Sequence, residues 1–382
     1  MKRIIKFLLF ILLIIPCKVR GQELIPNAKS GILVEVDSGA IIFEKNINDK
    51  LSVASMTKMV AQIIILENIE SGNLTWDEQI KVSENAANMG GTQIWLQAGE
   101  IMTVKDLFKG ISMASANDAT VALAERIAGT EKKFVEMMNN KAKELGLVNT
   151  HFVNPTGLDE ENHYSTAFDL SVIGRALLKH EKILEFSSVY EDYLRQDTDN
   201  KFWLVNTNKL VRFYEGADGL KTGFTDNALY CMAVTAKKDN MRLLAITLGE
   251  PNGSTRNDET TTLLNYGFNL YTVDQLNKKN ETIKEIKLNK SNINKVNLVL
   301  LEDVSVLREK SVIKGDYQTE LKLLDFKLPI KKGDKIGNLI IKSNGVIVRE
   351  VPITVDQEVK KATFINLFWQ NLRNIITGCI NI

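Results

Sequence analysis

The chain has 382 residues, enough to bury one large hydrophobic core and a second, smaller one. Its 48 basic residues against 47 acidic leave a formal net charge of +1, which excludes a global pull towards nucleic acid or anionic surfaces. The composition, 44% hydrophobic and 25% charged, is that of a globular protein. Three cysteines and three scattered histidines provide neither a disulfide framework nor metal-ligand spacing, so neither a metal nor any other cofactor is expected.

At the N-terminus Lys2, Arg3 and Lys6 precede the apolar run Phe7 to Ile15 and then a polar stretch. The charge order is that of a secretory leader over residues 1–21, and the run is short for a membrane span. An uncleaved anchor is the rival reading. Cleavage after Gly21 places Val19 and Gly21 at the small-residue positions, whereas Cys17 after Pro16 is a poor lipoprotein site. Either way the body is exported, to the outer face of the cytoplasmic membrane or the cell-wall space.

Alternation in Ile32-Leu33-Val34-Glu35-Val36, a turn at Asp37-Ser38-Gly39 and the run Ala40 to Phe43 predict a β-hairpin. A helix is expected from near Ser55 through Ile63 to Leu66, stopping at Ser71-Gly72. Within its first turn lies Ser55-Met56-Thr57-Lys58. Positions three apart share a helix face, so the Lys58 amine can reach the Ser55 hydroxyl. A desolvated amine can lose its proton near neutral pH and then serve as base for a serine nucleophile. The helix start also offers exposed amides to a developing oxyanion. The plainer reading of Ser55 is an N-cap.

The run Glu84 to Gly91 reads as a loop, and Thr103 to Asp106 as a capping box that opens a helix through Leu107 and Ile111. That helix ends at Ser115-Ala116-Asn117, ahead of a second helical run, Val121 to Ile127. Ser115 can relay a proton, and the Asn117 amide can hold a carbonyl or the lysine amine; turn chemistry alone also explains both residues. Phe134 to Leu145 has helical periodicity, Asn149 to Leu158 is an irregular loop, and Thr166 to Asp169 caps a helix over Leu170 to Leu178. Ahead of a hairpin of Leu229 to Ala236 and Arg242 to Leu248 comes Lys221-Thr222-Gly223. On an edge strand this triplet offers an ammonium and a hydroxyl to a substrate carboxylate, and Gly223 gives clearance to a peptide lying alongside. An exposed lysine beside a glycine turn is the alternative.

S-x-x-K, S-x-N and K-T-G in this order form the signature shared by penicillin-binding proteins and class A β-lactamases. The sequence resembles the serine D-alanyl-D-alanine carboxypeptidases, the low-molecular-mass penicillin-binding proteins. The similarity extends to Met89-Gly90-Gly91, Trp95 to Glu100, Ser115 to Ala119, Thr150 to Leu158, Tyr164 to Thr166, Asn206 to Asn208 and Asp218 to Thr225. It covers most of residues 24–272. The resemblance implies an α/β (α+β) transpeptidase-like catalytic domain, an antiparallel sheet flanked by helices with the site at the sheet edge. It further implies attack by Ser55 on the bond between two D-alanines of a peptidoglycan stem peptide, with Lys58 as base, Ser115 as relay and Asn117 as an orienting contact. Lys221 and Thr222 would hold the terminal carboxylate, and the amides of Ser55 and Phe224 the oxyanion. β-Lactams would acylate the same serine. Phe224 stands where many relatives carry histidine, and Ala116 where many carry glycine.

Beyond Leu270, strand patterns at Val296 to Leu301, Glu320 to Leu324, Ile336 to Ile341 and Val346 to Thr354, with a hairpin turn at Ser343-Asn344-Gly345, predict a small all-β domain over residues 275–355. Over residues 358–382, Phe364, Ile365, Phe368, Leu372, Ile375 and Ile376 share one helical face, preceded by Lys360-Lys361. This reads as an amphipathic helix on a membrane surface, with packing on the β-domain as its rival. Two other functions compete. A β-lactamase would need an E-x-x-L-N element, of which Glu160-Glu161-Asn162 is a loose echo, and an idle wall-binding protein would need none of the catalytic residues.

Overall fold

The computed structural model describes residues 23–364, Asn289 apart, together with Leu367. The expected leader and most of the expected C-terminal helix lie outside these residues; the described start of that helix is not helical, since Val359 and Lys361 bridge to Ile330 and Ser291 and Val359 is buried in the β-domain core.

A five-stranded antiparallel sheet organises the larger part of the chain. From one edge to the other its strands are Ile41–Lys45, Ser30–Glu35, Met241–Glu250, Leu229–Lys238 and Ala217–Thr225. Helices cover both faces, and the strand sequences show it. Ile32, Val34, Leu244 and Ile246 point into one core, while Leu33, Leu243 and Ala245 point into the other. A strand with two buried faces needs apolar residues on both, which is why Leu243 to Ile246 in the middle of Met241–Glu250 is continuously apolar. The helix Gly253–Leu270 lies against the second face, joined by Leu210 of the short helix Leu210–Phe213, and the longer remaining helices gather on the first.

The central helix Lys58–Glu70 is buried on all sides from Lys58 to Leu66. A helix apolar all round belongs inside a core, and Lys58 goes in with it. Ser55 precedes this helix in a 3-10 turn, Ala54–Thr57, that makes no side-chain cap. The N-cap reading of Ser55 therefore fails: its hydroxyl is engaged by Lys58 instead. The capping residues expected at Thr103 and Thr166 do accept from the amides of Asp106 and Asp169. A single helical turn, Glu84–Ala87, interrupts the loop expected at residues 84–91.

From Tyr271 to Val355 every element of the described residues is a strand. Strands Thr282–Lys287, Lys295–Leu300, Val346–Val355, Gly337–Ser343 and Tyr317–Leu323 form an antiparallel sheet in that spatial order, while Tyr271–Asn277 pairs with Val304–Glu309. The turn at Asn344 and Gly345 has φ of 50° and 79°, the left-handed pair that a tight hairpin requires. Three strands, Tyr271–Asn277, Thr282–Lys287 and Val304–Glu309, go beyond those read from the sequence. In Thr282–Lys287 two lysines and a glutamate fall on exposed positions, which erases the apolar signal. Arg349 crosses to the larger part of the chain, donating to the Asp37 carbonyl at 3.0 Å.

Candidate active site

Three segments meet at Ser55: the central helix, the turn between two helices at residues 115–117, and the edge strand Ala217–Thr225. The strand approaches closely. A Cβ on Gly223 would come within 3.0 Å of the Val53 carbonyl oxygen and 3.2 Å of the Ser55 nitrogen. The clearance expected there for a peptide is thus occupied by the protein's own nucleophile turn.

Lys58 Nζ lies 2.9 Å from Ser55 Oγ, 2.6 Å from Asn117 Oδ1 and 2.6 Å from the Thr156 carbonyl oxygen. Two of these partners are carbonyl oxygens, which only accept. The third is a hydroxyl, which can also give a proton. A neutral amine satisfies all three by donating twice and turning its lone pair to Ser55. Burial drives Lys58 towards that neutral form, holding its pKa well below the ordinary lysine value; the nearby Lys221 charge adds to this and Asp118 opposes it. Asp118 is itself fully buried and accepts from the amides of Ile94, Leu96 and Ala119.

The Asn117 amide is oriented by its neighbours, accepting from Lys58 and donating to the Gly90 carbonyl at 2.7 Å. Ser115 follows a turn of π-helix at Gly110–Ala114 and sits at φ 64°, a left-handed conformation uncommon for a residue with a side chain. Its hydroxyl is buried and hydrogen-bonds no described group. The structure thus brings Ser115 to the site without joining it to Lys58.

Lys221 is buried and donates to the carbonyl of Thr222 at 2.9 Å. Burial, and then the Arg256 charge, lower its pKa to about 7. Thr222 donates to Thr207 Oγ1 at 2.7 Å. Phe224 is 50% exposed and leans on Tyr230, with ring centroids 4.4 Å apart.

Several contributors went unassigned in the sequence. Asn154 accepts from the amides of Thr156 and Gly157 and donates to the Leu158 carbonyl, folding the loop that carries the Thr156 carbonyl to Lys58. His163 receives the Val153 amide on Nδ1, so its Nε2 carries the proton and donates to Thr57 Oγ1 at 2.8 Å. Burial lowers its pKa to about 4, aided by His151, so the ring is neutral and structural. Arg256, from a polar stretch without a motif, is buried close enough to Lys221 to affect its titration. Glu160 and Glu161, the loose echo of a β-lactamase element, are exposed. Among the described residues no acidic or histidine cluster suited to a metal occurs.

Residues 19–252 match the family described as D-alanyl-D-alanine carboxypeptidase. The chain belongs to the D-alanyl-D-alanine carboxypeptidase family. It is a serine-type DD-peptidase of the penicillin-binding protein group, and residues 271–361 match the penicillin-binding protein 5 C-terminal domain. The carboxypeptidase DacF of Bacillus subtilis is 46% identical over 347 residues, covering 91% of this chain and 89% of that one. Penicillin-binding protein 5 of Haemophilus influenzae superposes with a TM-score of 0.71 at 28% identity, covering 88% of this chain and 98% of that one. Penicillin-binding protein D2 of Listeria monocytogenes, solved in an ampicillin-bound form, gives 0.57 at 31% identity, over 63% and 98%. These likenesses establish the transpeptidase fold and the serine carboxypeptidase class of the present chain.

Proposed function

We propose that this carboxypeptidase removes the terminal D-alanine of a peptidoglycan stem pentapeptide through an acyl-enzyme on Ser55. The observation that carries the assignment is the placement of the buried Lys58 amine between two pure acceptors and one hydroxyl. As Ser55 Oγ attacks the carbonyl between the two D-alanines, its proton passes to Lys58. The tetrahedral oxyanion is held by the amides of Ser55 and Phe224. The C–N bond then breaks, and the leaving amine takes a proton through Ser115, whose buried and unpartnered hydroxyl is suited to a group arriving with substrate. Lys221 and Thr222 clamp the terminal carboxylate, and water hydrolyses the ester. A labelled penicillin should attach to the intact protein at the peptide containing Ser55 and block D-alanine release from a pentapeptide. Attachment elsewhere, or release unaffected by penicillin, rules the assignment out.

A pH profile follows from the two lysines. Lys58 must be neutral to act as base, so activity rises as pH passes upward through its lowered pKa. Lys221 must be charged to hold a carboxylate, so kcat/KM falls as pH rises through about 7. Bound carboxylate favours the ammonium and moves the alkaline limb of kcat upward. A guanidinium stays charged over this range, so Lys221→Arg should lose the alkaline limb in kcat/KM while keeping the acid limb.

The course of the whole chain, in this proposal, is export by the leader, catalysis by residues 24–272, spacing by the β-domain over 275–355 and attachment to a membrane surface by residues 358–382. Among the described residues no helix is long and apolar enough to cross a membrane. Deleting residues 358–382 should move the exported protein from the membrane fraction to the soluble one. A full-length protein that is already soluble contradicts the attachment.

A further inference from the structure

Trp95 stands in the open beside the site, 68% exposed, with φ at 57°. A bulky residue takes this conformation only where its neighbours enforce it. Asp118 Oδ2 accepts from the Ile94 amide at 3.1 Å and the Leu96 amide at 3.0 Å, and Arg195 Nη1 donates to the Ile94 carbonyl at 3.1 Å. Backbone on both sides of the ring is therefore pinned. Asp118 also directly follows Asn117, so the tryptophan is positioned by the frame that positions the catalytic cluster.

The ring borders a cleft of about 410 Å³ whose walls include Gln97, Glu100, Arg195, Asn200 and Phe202. Arg195 and Glu100 form a two-pronged ion pair there, with Nε–Oε1 at 2.5 Å and Nη2–Oε2 at 3.1 Å, and their side chains are 10% and 21% exposed. Lys201, also on the wall, lies over the Tyr193 ring at 4.0 Å. The amides of the Gln97 and Asn200 side chains are exposed and form no hydrogen bond with any described residue.

We propose that this cleft is a saccharide subsite that takes an N-acetylated pyranose ring stacked on Trp95. An exposed aromatic face packs against the C–H face of a sugar. The carboxamides of Gln97 and Asn200 each offer both a donor and an acceptor, matching an acetamido group. With Arg195 and Glu100 neutralising each other, the wall suits an uncharged ring. The inference rests on the stem-peptide reading above and extends it to the sugar that bears the stem. Reach permits both contacts at once. The Thr92 carbonyl accepts from the Asn117 amide at 2.7 Å, and the three residues from there to Trp95 span at most about 11 Å. Four stem residues between sugar and scissile bond span up to about 14 Å when extended.

The test compares D-alanine release by the full-length enzyme from a bare pentapeptide and from the same pentapeptide on an N-acetylated disaccharide. Trp95→Ala should raise KM for the disaccharide substrate about five- to ten-fold, leaving its kcat and the bare peptide unaffected. Trp95→Tyr should keep most of the preference. Chitotriose should quench the fluorescence of the wild type and have no effect on Trp95→Ala. Equal effects of Trp95→Ala on both substrates, or none on either, overturn the subsite. Where Trp95→Ala also loses penicillin labelling, Trp95→Tyr and chitotriose inhibition of wild type decide, and absence of inhibition overturns the subsite. Trp95-dependent chitotriose binding in an enzyme that releases no D-alanine from either substrate would refute the carboxypeptidase reading alone.

Discussion

Replacing Lys58 with methionine is expected to lower the rate of penicillin acylation by roughly 10²–10⁴-fold while the protein stays folded. Methionine is unbranched and adaptable in a core, and it removes the cost of burying an amine. Against that, the Asn117 and Thr156 carbonyl oxygens lose their donor, each a penalty of about 1–3 kcal/mol where no other partner is found. Stability should therefore drop modestly, and acylation steeply, because the Ser55 proton has nowhere to go. Lys58→Arg separates base from charge. A guanidinium places a cation beside Ser55 but does not release its proton, so this variant should be as slow as Lys58→Met. Stopped-flow acylation within tenfold of wild type for Lys58→Arg would show that Lys58 acts through its field and not as a base.

The residues with the clearest sequence signal are those whose side chains perform the proposed step. Ser55 and Lys58 are three apart at a helix start, and local geometry brings them together without the rest of the fold. The proton itself was not legible, because the acidity of Lys58 depends on a helix buried on all sides and on Lys221 arriving from a strand more than a hundred residues later. The run Met59 to Leu66, apolar at every position but Gln62, carried a hint of that burial. Contributions made by backbone left no trace. The Thr156 carbonyl has no residue identity of its own, and only the loop turned by Asn154 delivers it. Gly223 was legible as a need for space, though not for what fills it. In the C-terminal sheet, the exposed lysines and glutamate of Thr282–Lys287 obscured the alternation that revealed the others.

The same loop supports the second large prediction, that Gly157→Ala destabilises the protein by about 3 kcal/mol or more and slows acylation with it. Two effects combine at this position. At φ 82° any Cβ meets its own backbone, which costs roughly 1–2 kcal/mol. That Cβ would also lie 1.9 Å from the Ala54 carbonyl oxygen and 2.9 Å from Thr57 Oγ1, so loop and nucleophile turn must separate. Separation draws the Thr156 carbonyl from Lys58 and disturbs the Thr57 hydroxyl that His163 holds. Gly129 is the control: its φ is 77°, and a Cβ there meets nothing within 4 Å. Gly129→Ala should show the backbone cost alone, with acylation unchanged. The difference between the two variants in thermal melting, and the loss of acylation in only one, measure the contact between the loop and the turn that carries Ser55. Equal melting shifts would mean that the loop yields without disturbing Ser55, and that the Thr156 carbonyl is dispensable to Lys58.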